Sequence, residues 1–98
     1  MRVLGLKNCD KTRAAMKALA ALGHDPVLVD VRAEPLGPQE RAAIVAAFGD
    51  RAINRSSTTW RGLSDDEKAR PVAGLLEDHP ALLKRPVIEE GGAYRQGV

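Results

Sequence analysis

The fold is decided by the stretch Arg2-Val3-Leu4-Gly5-Leu6-Lys7-Asn8-Cys9-Asp10-Lys11-Thr12-Arg13, because it joins a short apolar run to the start of a helix. Residues 3–6 predict a β-strand, and a polar loop follows. Asp10 is predicted to cap a helix that continues to about Leu22, since apolar residues recur there at helical spacing. Cys9, the only cysteine of the chain, is therefore predicted between a strand and a helix.

The predicted place of Cys9 favours a reactive thiol. The N-terminus of a helix offers unpaired backbone N–H groups and the positive end of the helix dipole. Both favour the thiolate, which is the nucleophilic form of cysteine. Lys7 and Lys11 indicate an exposed loop, whereas the carboxylate of Asp10 would raise the thiol pKa. The alternative is a buried cysteine that acts only as a small hydrophobic side chain.

The chain beyond the first helix continues with a strand and a second helix. Residues 27–31 are almost all apolar, which predicts a buried strand parallel to the first. A strand, a helix and a strand in fewer than 35 residues make a βαβ unit. Pro38 is predicted to open a second helix that ends at Gly49, and a polar loop is predicted over residues 54–63.

The last third of the chain predicts further helix and then a hairpin. Ser64 and Glu67 form a capping-box pattern, and Pro71 interrupts the helix that follows it. Residues 86–89 and 93–98 flank Glu90-Gly91-Gly92, which predicts a β-hairpin. The resulting order β-α-β-α-α-α-β-β predicts an α/β protein with a thioredoxin-like sheet and a helical insert.

Composition limits the classes of function. Fifteen basic and thirteen acidic residues are interleaved and leave a net charge of +2, which is too small to predict nucleic-acid binding. No apolar stretch is long enough for a membrane span, and no leader sequence is evident. A single cysteine cannot form an internal disulfide, so we expect a cytoplasmic protein.

Two further polar residues are Thr12 and Arg85, and an isolated arginine such as Arg85 is more typical of a solvated surface position. Thr12 lies where the second cysteine of a Cys-x-x-Cys motif would stand, so a mixed disulfide on Cys9 needs an external thiol to resolve it. Thr12 is either a residue of the first helical turn or a hydroxyl donor to the sulfur. Arg85 precedes Pro86, which restricts Arg85 to an extended backbone at a strand end.

Other polar residues leave alternatives open. Arg55 and Arg61 flank a Ser/Thr-rich loop that either binds an anion or is a capped surface loop. Trp60 is expected to anchor that loop by packing. His24 and His79 have no metal-ligand spacing, so no metal site is predicted.

Three motifs together resemble those of the arsenate reductase (ArsC)/Spx family, and of its YffB-like single-cysteine branch in particular. They are Lys7-Asn8-Cys9-Asp10, Thr58-Thr59-Trp60-Arg61 and His79-Pro80-Ala81-Leu82-Leu83-Lys84-Arg85-Pro86-Val87. The resemblance implies one thioredoxin-like domain over residues 1–98, with a mixed four-stranded sheet and a helical insert over about 37–83. It also implies a nucleophilic Cys9, an active-site Arg85 and a cis peptide bond before Pro86.

The sequence departs from the family pattern at several positions. The histidine that arsenate reductases place four residues before the cysteine is Gly5 here. The arginine usual in the middle loop is Ser56, with Arg55 one place earlier as a substitute. The last arginine of the arsenate site would fall near Gly97 and has no match. Relatives also continue into a C-terminal helix, which leaves open that this sequence lacks it.

The resemblance implies a glutathione-dependent thiol oxidoreductase. Cys9 and Arg85 are its candidate catalytic residues, and Asn8, Thr12 and Arg55 are candidate substrate-binding residues. Glutathione is the expected co-substrate, glutathione or glutaredoxin would resolve the adduct on Cys9, and no bound cofactor is expected. Two alternatives remain: a Spx-like regulator that binds RNA polymerase, and an inactive family member.

Overall fold

The chain forms two structural units, which a computed structural model describes over residues 1–97. The first unit is Met1–Glu34 together with the segment from Arg85 onwards, and the second is Pro35–Lys84. Within the described residues, no helix combines the length and the apolar character needed to cross a membrane.

A mixed four-stranded sheet forms the first unit. Its strands are β1 (Arg2–Gly5), β2 (Val27–Asp30), β3 (Val87–Glu90) and β4 (Ala93–Gln96), and helix α1 (Asp10–Ala21) connects β1 to β2. The spatial order is β2-β1-β3-β4, with β1 and β2 parallel and the other two pairs antiparallel. The α/β class and the mixed four-stranded sheet predicted from the sequence are confirmed.

Helix α1 packs on one face of this sheet. Successive side chains of a strand point to opposite faces, so β1 turns Val3 to one side and Leu4 to the other. Val3 forms a buried cluster with Ala15 and Leu19 of α1 and with Ile88 of β3. The alanine lets the helix approach the sheet closely, which fixes the N-terminal end of α1 beside the end of β1.

Two local expectations for the first unit are wrong. Cys9, not Asp10, is the N-cap of α1: its backbone is extended (φ −91°, ψ 123°), and Asp10 is the first helical residue. Strand β2 is parallel to β1 but is not buried, and Val27 is 57% exposed. The reason is the sheet order, which places β2 at an edge with a neighbour on one side only.

The predicted hairpin is confirmed. Strands β3 and β4 pair in antiparallel register up to Glu90 and Ala93, so Gly91 and Gly92 are the two turn residues. Both have positive φ values, 59° and 85°. A two-residue hairpin turn of this kind needs two residues in the left-handed region, which glycine enters at little cost.

The second unit is helical. It contains α2 (Pro38–Phe48), α3 (Thr58–Arg61), α4 (Asp65–Lys68) and α5 (Val72–Asp78), with 3₁₀ turns at Gly49–Ala52 and Pro80–Leu82. Pro38 opens α2, as predicted. A bridge between Ile53 and Leu83 ties the unit together, and most of its buried side chains are aliphatic: Leu36, Ile44, Ala52, Ile53, Leu75, Leu76, Leu82 and Leu83.

Serine caps organise the short helices of this unit. The predicted polar loop over residues 54–63 contains α3, because the Ser57 hydroxyl accepts a hydrogen bond from Trp60 N at 3.1 Å and starts a helical turn there. Ser64 caps α4 in the same way, as predicted. The side chain of Glu67 turns to Arg70 and His79, so the capping is carried by Ser64.

Candidate active site

Cys9 is fixed by the backbone at the junction of β1 and α1. Its N–H donates to the carbonyl of Leu6 at 3.0 Å, which closes a tight turn after the strand. Its own carbonyl accepts the N–H of Arg13 at 3.0 Å, the first hydrogen bond of the helix. The thiol is half-buried in this position. A reagent can therefore reach the sulfur while the helix terminus holds it in place.

The surroundings of the sulfur favour its ionised form. Burial raises the pKa of the Cys9 thiol, but the Thr12 hydroxyl, the backbone N–H groups of Thr12 and Lys11, and the positive charge of Arg85 outweigh burial and lower it. The Cys9 side chain makes no capping hydrogen bond. Hydrogen-bond donors and a positive charge around a thiol stabilise its thiolate, which is the form that a nucleophile requires.

The carboxylate of Asp10 is engaged by Arg13. Arg13 Nη2 lies 2.7 Å from Asp10 Oδ1, and both side chains are largely exposed. Asp10 follows Cys9 directly and would oppose ionisation of the thiol. Its pairing with a cation one turn along the helix, in solvent, limits that opposition.

Thr12 is fully buried in the first turn of α1, three residues after Cys9. Within residues 1–97 its hydroxyl oxygen has no hydrogen-bond partner. On ionisation the sulfur becomes the acceptor, and this bond is the largest of the contributions that lower the pKa of Cys9. Thr12 lies in the first turn of α1, and its role as a donor to the sulfur stays a prediction.

Arg85 and Pro86 bring the start of β3 to the same site. The Arg85–Pro86 peptide bond is cis, as the family resemblance implies. Pro86 is buried, and its carbonyl accepts a hydrogen bond from Gly97 N at 3.0 Å. Arg85 is half-buried, and its charge acts on the sulfur of Cys9. Cys9, Thr12 and Arg85 therefore form one cluster, which we call the Cys9 site.

Asn8 and Arg55 are the remaining two candidates from the sequence. Asn8 is exposed in the loop immediately before Cys9. Arg55 belongs to the second unit, where its Nη1 donates to the carbonyl of Asp50 at 3.2 Å and its guanidinium lies 5.3 Å from the ring centroid of Trp60. Lys68 lies 5.6 Å from the same centroid, so Trp60 is contacted by two cations. The expected packing role of Trp60 thus takes the form of cation–π contacts.

Sequence reasoning missed the contacts that two residues make near Cys9. Asp30, at the end of β2, accepts a hydrogen bond from the N–H of Lys7 at 3.1 Å and so holds the loop that carries Cys9. Gly5, at the end of β1, lies against Thr12. An acidic residue at a strand end carries no signal of such a role, and the contact of Gly5 depends on how α1 lies on the sheet.

Residues 1–97 contain no group of three or more histidine, cysteine, aspartate or glutamate side chains placed to hold a metal ion.

Comparison with known proteins identifies the family. Residues 4–98 match the model of the ArsC family. The chain belongs to the ArsC family. An uncharacterized protein of Haemophilus influenzae is 35% identical to this ArsC-family chain over 95 residues, covering 92% of the chain and 83% of that protein.

Solved structures agree with this assignment. The YffB (PA3664) protein is 27% identical, with a TM-score of 0.89 over 99% of this chain and 90% of its own. An arsenate reductase (ArsC) related protein from Brucella melitensis is also 27% identical, with a TM-score of 0.80 over 99% and 85% of the two chains. The ArsC-family, thioredoxin-like fold supports a thiol oxidoreductase.

Proposed function

We propose that this ArsC-family protein is a glutathione-dependent thiol oxidoreductase in which Cys9 is the nucleophile. The observation that supports the proposal best is the position of Cys9 as the N-cap of α1, with the pKa of its thiol lowered by Thr12, by two backbone N–H groups and by Arg85. A thiolate held at a helix N-terminus is the arrangement that thiol–disulfide exchange requires.

The first step is exchange with a glutathione mixed disulfide, R–S–S–G. The Cys9 thiolate attacks the glutathione sulfur and forms a disulfide bond to it, while the S–S bond of R–S–S–G breaks. The leaving thiolate R–S⁻ takes a proton from solvent. In the second step, a glutathione thiolate attacks the glutathione sulfur of this adduct. Oxidised glutathione is released and the Cys9 thiolate is regenerated. Overall, R–S–S–G and one glutathione thiol give R–SH and oxidised glutathione, so one glutathione thiol is oxidised for each R–S sulfur that is reduced.

The need for an external thiol in the second step follows from the presence of a single cysteine in the chain. Cys9 is the only cysteine of the chain, so the adduct has no internal partner that could displace glutathione. Glutathione, or a glutaredoxin acting in its place, supplies the electrons in this proposal. Such a reaction belongs in the reducing cytoplasm, where we place the protein.

The residues around Cys9 have distinct proposed roles. Arg85 stabilises the thiolate and the negative charge that moves between sulfurs during exchange. Thr12 donates its hydroxyl to the Cys9 sulfur, which returns as a thiolate when the adduct is resolved. Asn8, exposed in the loop before Cys9, is proposed to contact the peptide part of glutathione. Arg55 is a separate proposed substrate-binding residue in the second unit, because carboxylates are natural partners of an arginine.

Replacing the nucleophile tests the proposal. Cys9→Ser keeps the size of the side chain but is not nucleophilic at neutral pH, so we expect it to lose turnover of cysteine–glutathione disulfide in an assay coupled to glutathione reductase. Ala20→Ser is the matched control, because Ala20 is exposed on the same helix away from the site. It is expected to keep wild-type turnover.

The outcomes separate the alternatives. Retained turnover in Cys9→Ser would overturn the mechanism. Absence of turnover in the wild-type protein, with specific retention of RNA polymerase on immobilised protein, would overturn it in favour of a regulator. Mass spectrometry adds a direct readout: brief treatment with oxidised glutathione is expected to add one glutathione to the wild-type protein and none to Cys9→Ser.

A further inference from the structure

Gly5 has no backbone reason to be glycine. It is the last residue of β1, it is buried, and its φ is not among the positive values found at other glycines of the chain. An L-residue could therefore adopt its backbone conformation. The reason for glycine must lie in the space around its Cα atom.

Thr12 fills that space. A Cβ atom placed on Gly5 would lie 2.7 Å from Thr12 Cγ2 and 3.1 Å from Thr12 Cβ, and still closer to Thr12 Oγ1. Carbon atoms in contact are normally about 3.5–4.0 Å apart. Threonine is β-branched and has few alternative rotamers within a helix, so its side chain cannot move aside without changing the direction of its hydroxyl.

The hydroxyl of Thr12 is a buried polar group. Thr12 is fully buried, and its hydroxyl oxygen has no hydrogen-bond partner within the described residues. A buried polar group without a partner costs free energy, so such groups are rare unless they have a role. The sulfur of Cys9, three residues earlier at the N-cap of α1, is the group that the hydroxyl can serve.

We propose that the missing side chain of Gly5 is a positioning element for Cys9, because it leaves the space in which Thr12 buries its hydroxyl against the sulfur. Gly5 does not touch the reacting atoms and acts through Thr12. A side chain at position 5, such as the histidine that the family resemblance places there, cannot coexist with Thr12 in its present position. The inference rests on the proposed function only in taking the Cys9 thiolate as the active form.

The test is a double-mutant cycle read out as the pKa of Cys9. The pKa is obtained from the pH dependence of alkylation by iodoacetamide, which needs neither glutathione nor turnover. Gly5→Ala is expected to raise the pKa of Cys9 by about one unit, the size expected for loss of one hydrogen bond to a charged group. Thr12→Val, which keeps the shape of the side chain and removes the hydroxyl, is expected to raise it by a similar amount.

The second arm of the cycle isolates the route through Thr12. Thr12→Ala removes both atoms that would clash most closely with a Cβ at position 5. In that background, Gly5→Ala is expected to leave the pKa of Cys9 unchanged. Gly37→Ala is the control, because it places a Cβ in open space at a position with φ −71°.

Each result supports or overturns the inference. An unchanged pKa in Gly5→Ala, or an equal rise in both backgrounds, would overturn it. If Gly5→Ala does not fold, Thr12→Val still tests the inference. An unchanged pKa of Cys9 in Thr12→Val overturns it. A raised pKa of Cys9 in Thr12→Val, together with recovered folding of the double variant Gly5→Ala/Thr12→Ala, supports it. If the wild-type protein shows no glutathione-dependent turnover, the proposed function is overturned. The effect of Gly5 on the pKa of Cys9 through Thr12 is unaffected by that result.

Discussion

At the scale of single residues, the reactivity of Cys9 is a balance between burial and a few donors. Burial alone would raise the pKa of the thiol, and the donors that reverse this effect come from two segments: α1 itself and the start of β3. The donors from α1 are the backbone N–H groups and the Thr12 hydroxyl of its first turn, and they lower the pKa of Cys9. The contribution of Arg85 depends on one side chain from a distant part of the sequence, so it can be removed separately.

Loss of the guanidinium should therefore weaken the thiolate. We expect Arg85→Gln to raise the pKa of Cys9 by roughly half a unit and to slow its alkylation at neutral pH about two- to threefold, because a favourable charge is lost. Arg85→Lys retains the charge and is expected to keep most of the shift.

Arg95→Gln is the matched control for this prediction. Arg95 is exposed on β4, where it lies 3.8 Å from Glu90. Its replacement is expected to leave the alkylation profile unchanged. A profile for Arg85→Gln that superimposes on that of the wild type would remove Arg85 from the account.

At the scale of elements, the loop that carries Cys9 is tied to the end of β2. The carboxylate of Asp30 accepts backbone N–H groups from Lys7 at 3.1 Å, Arg32 at 2.9 Å and Ala33 at 3.2 Å. Asp30 also pairs with Gly5 in the parallel register of β1 and β2. One side chain thus joins the edge strand, its following turn and the Cys9 loop.

Removal of this carboxylate should cost stability in a pH-dependent way. The hydrogen bond from Lys7 N–H is the main reason why the pKa of Asp30 is lowered, and those from Arg32 and Ala33 add to it. A lowered pKa in the folded state means stabilisation that is present above the unfolded value of about 3.9 and is lost as the pH falls through the folded value. We expect Asp30→Ala to reduce the free energy of unfolding by about 1 kcal/mol at neutral pH.

Urea denaturation of the wild type and Asp30→Ala at a series of pH values measures this difference. It should shrink as the solution is acidified below about pH 4. Asp25→Ala, at an exposed position before β2, is the control and is expected to show little change at any pH. A difference for Asp30→Ala that stays constant down to acid pH would show that the carboxylate charge is not what holds the loop.

At the scale of the whole molecule, local signals in the sequence predict which helices and strands form. They predict less well which side chains of those elements are buried. The strand before Cys9, the helix after it and the glycine hairpin follow from short-range patterns, and the structure has all three. The exposure of Val27 depends on the sheet order, and that order is set by pairing with β3, which lies far along the chain. Similarly, the N-cap of α1 is Cys9 and not the predicted Asp10, because the backbone is still extended at Cys9. The backbone conformation, more than the side-chain preference, decides where the helix begins.

The candidate site shows the same division. Cys9 is evident from its position, and Arg85 from the motif that resembles the ArsC family. The roles of Gly5 and Asp30 depend on contacts between α1, β1 and β2, and no pattern in the sequence encodes them. In the second unit, Arg55 lies over the ring of Trp60, which is part of helix α3. The polar composition of residues 54–63 predicts a loop there, so the sequence does not indicate this contact.

The central claim is that Cys9 is held as a reactive thiolate, and the pKa of its thiol tests this claim most directly. The pH dependence of iodoacetamide alkylation on the wild-type protein gives that value, and Cys9→Ser supplies the background rate. The account predicts an apparent pKa clearly below the ordinary cysteine value of about 8.5. A pKa at or above that value would contradict it, since burial would then outweigh the helix terminus, Thr12 and Arg85 together.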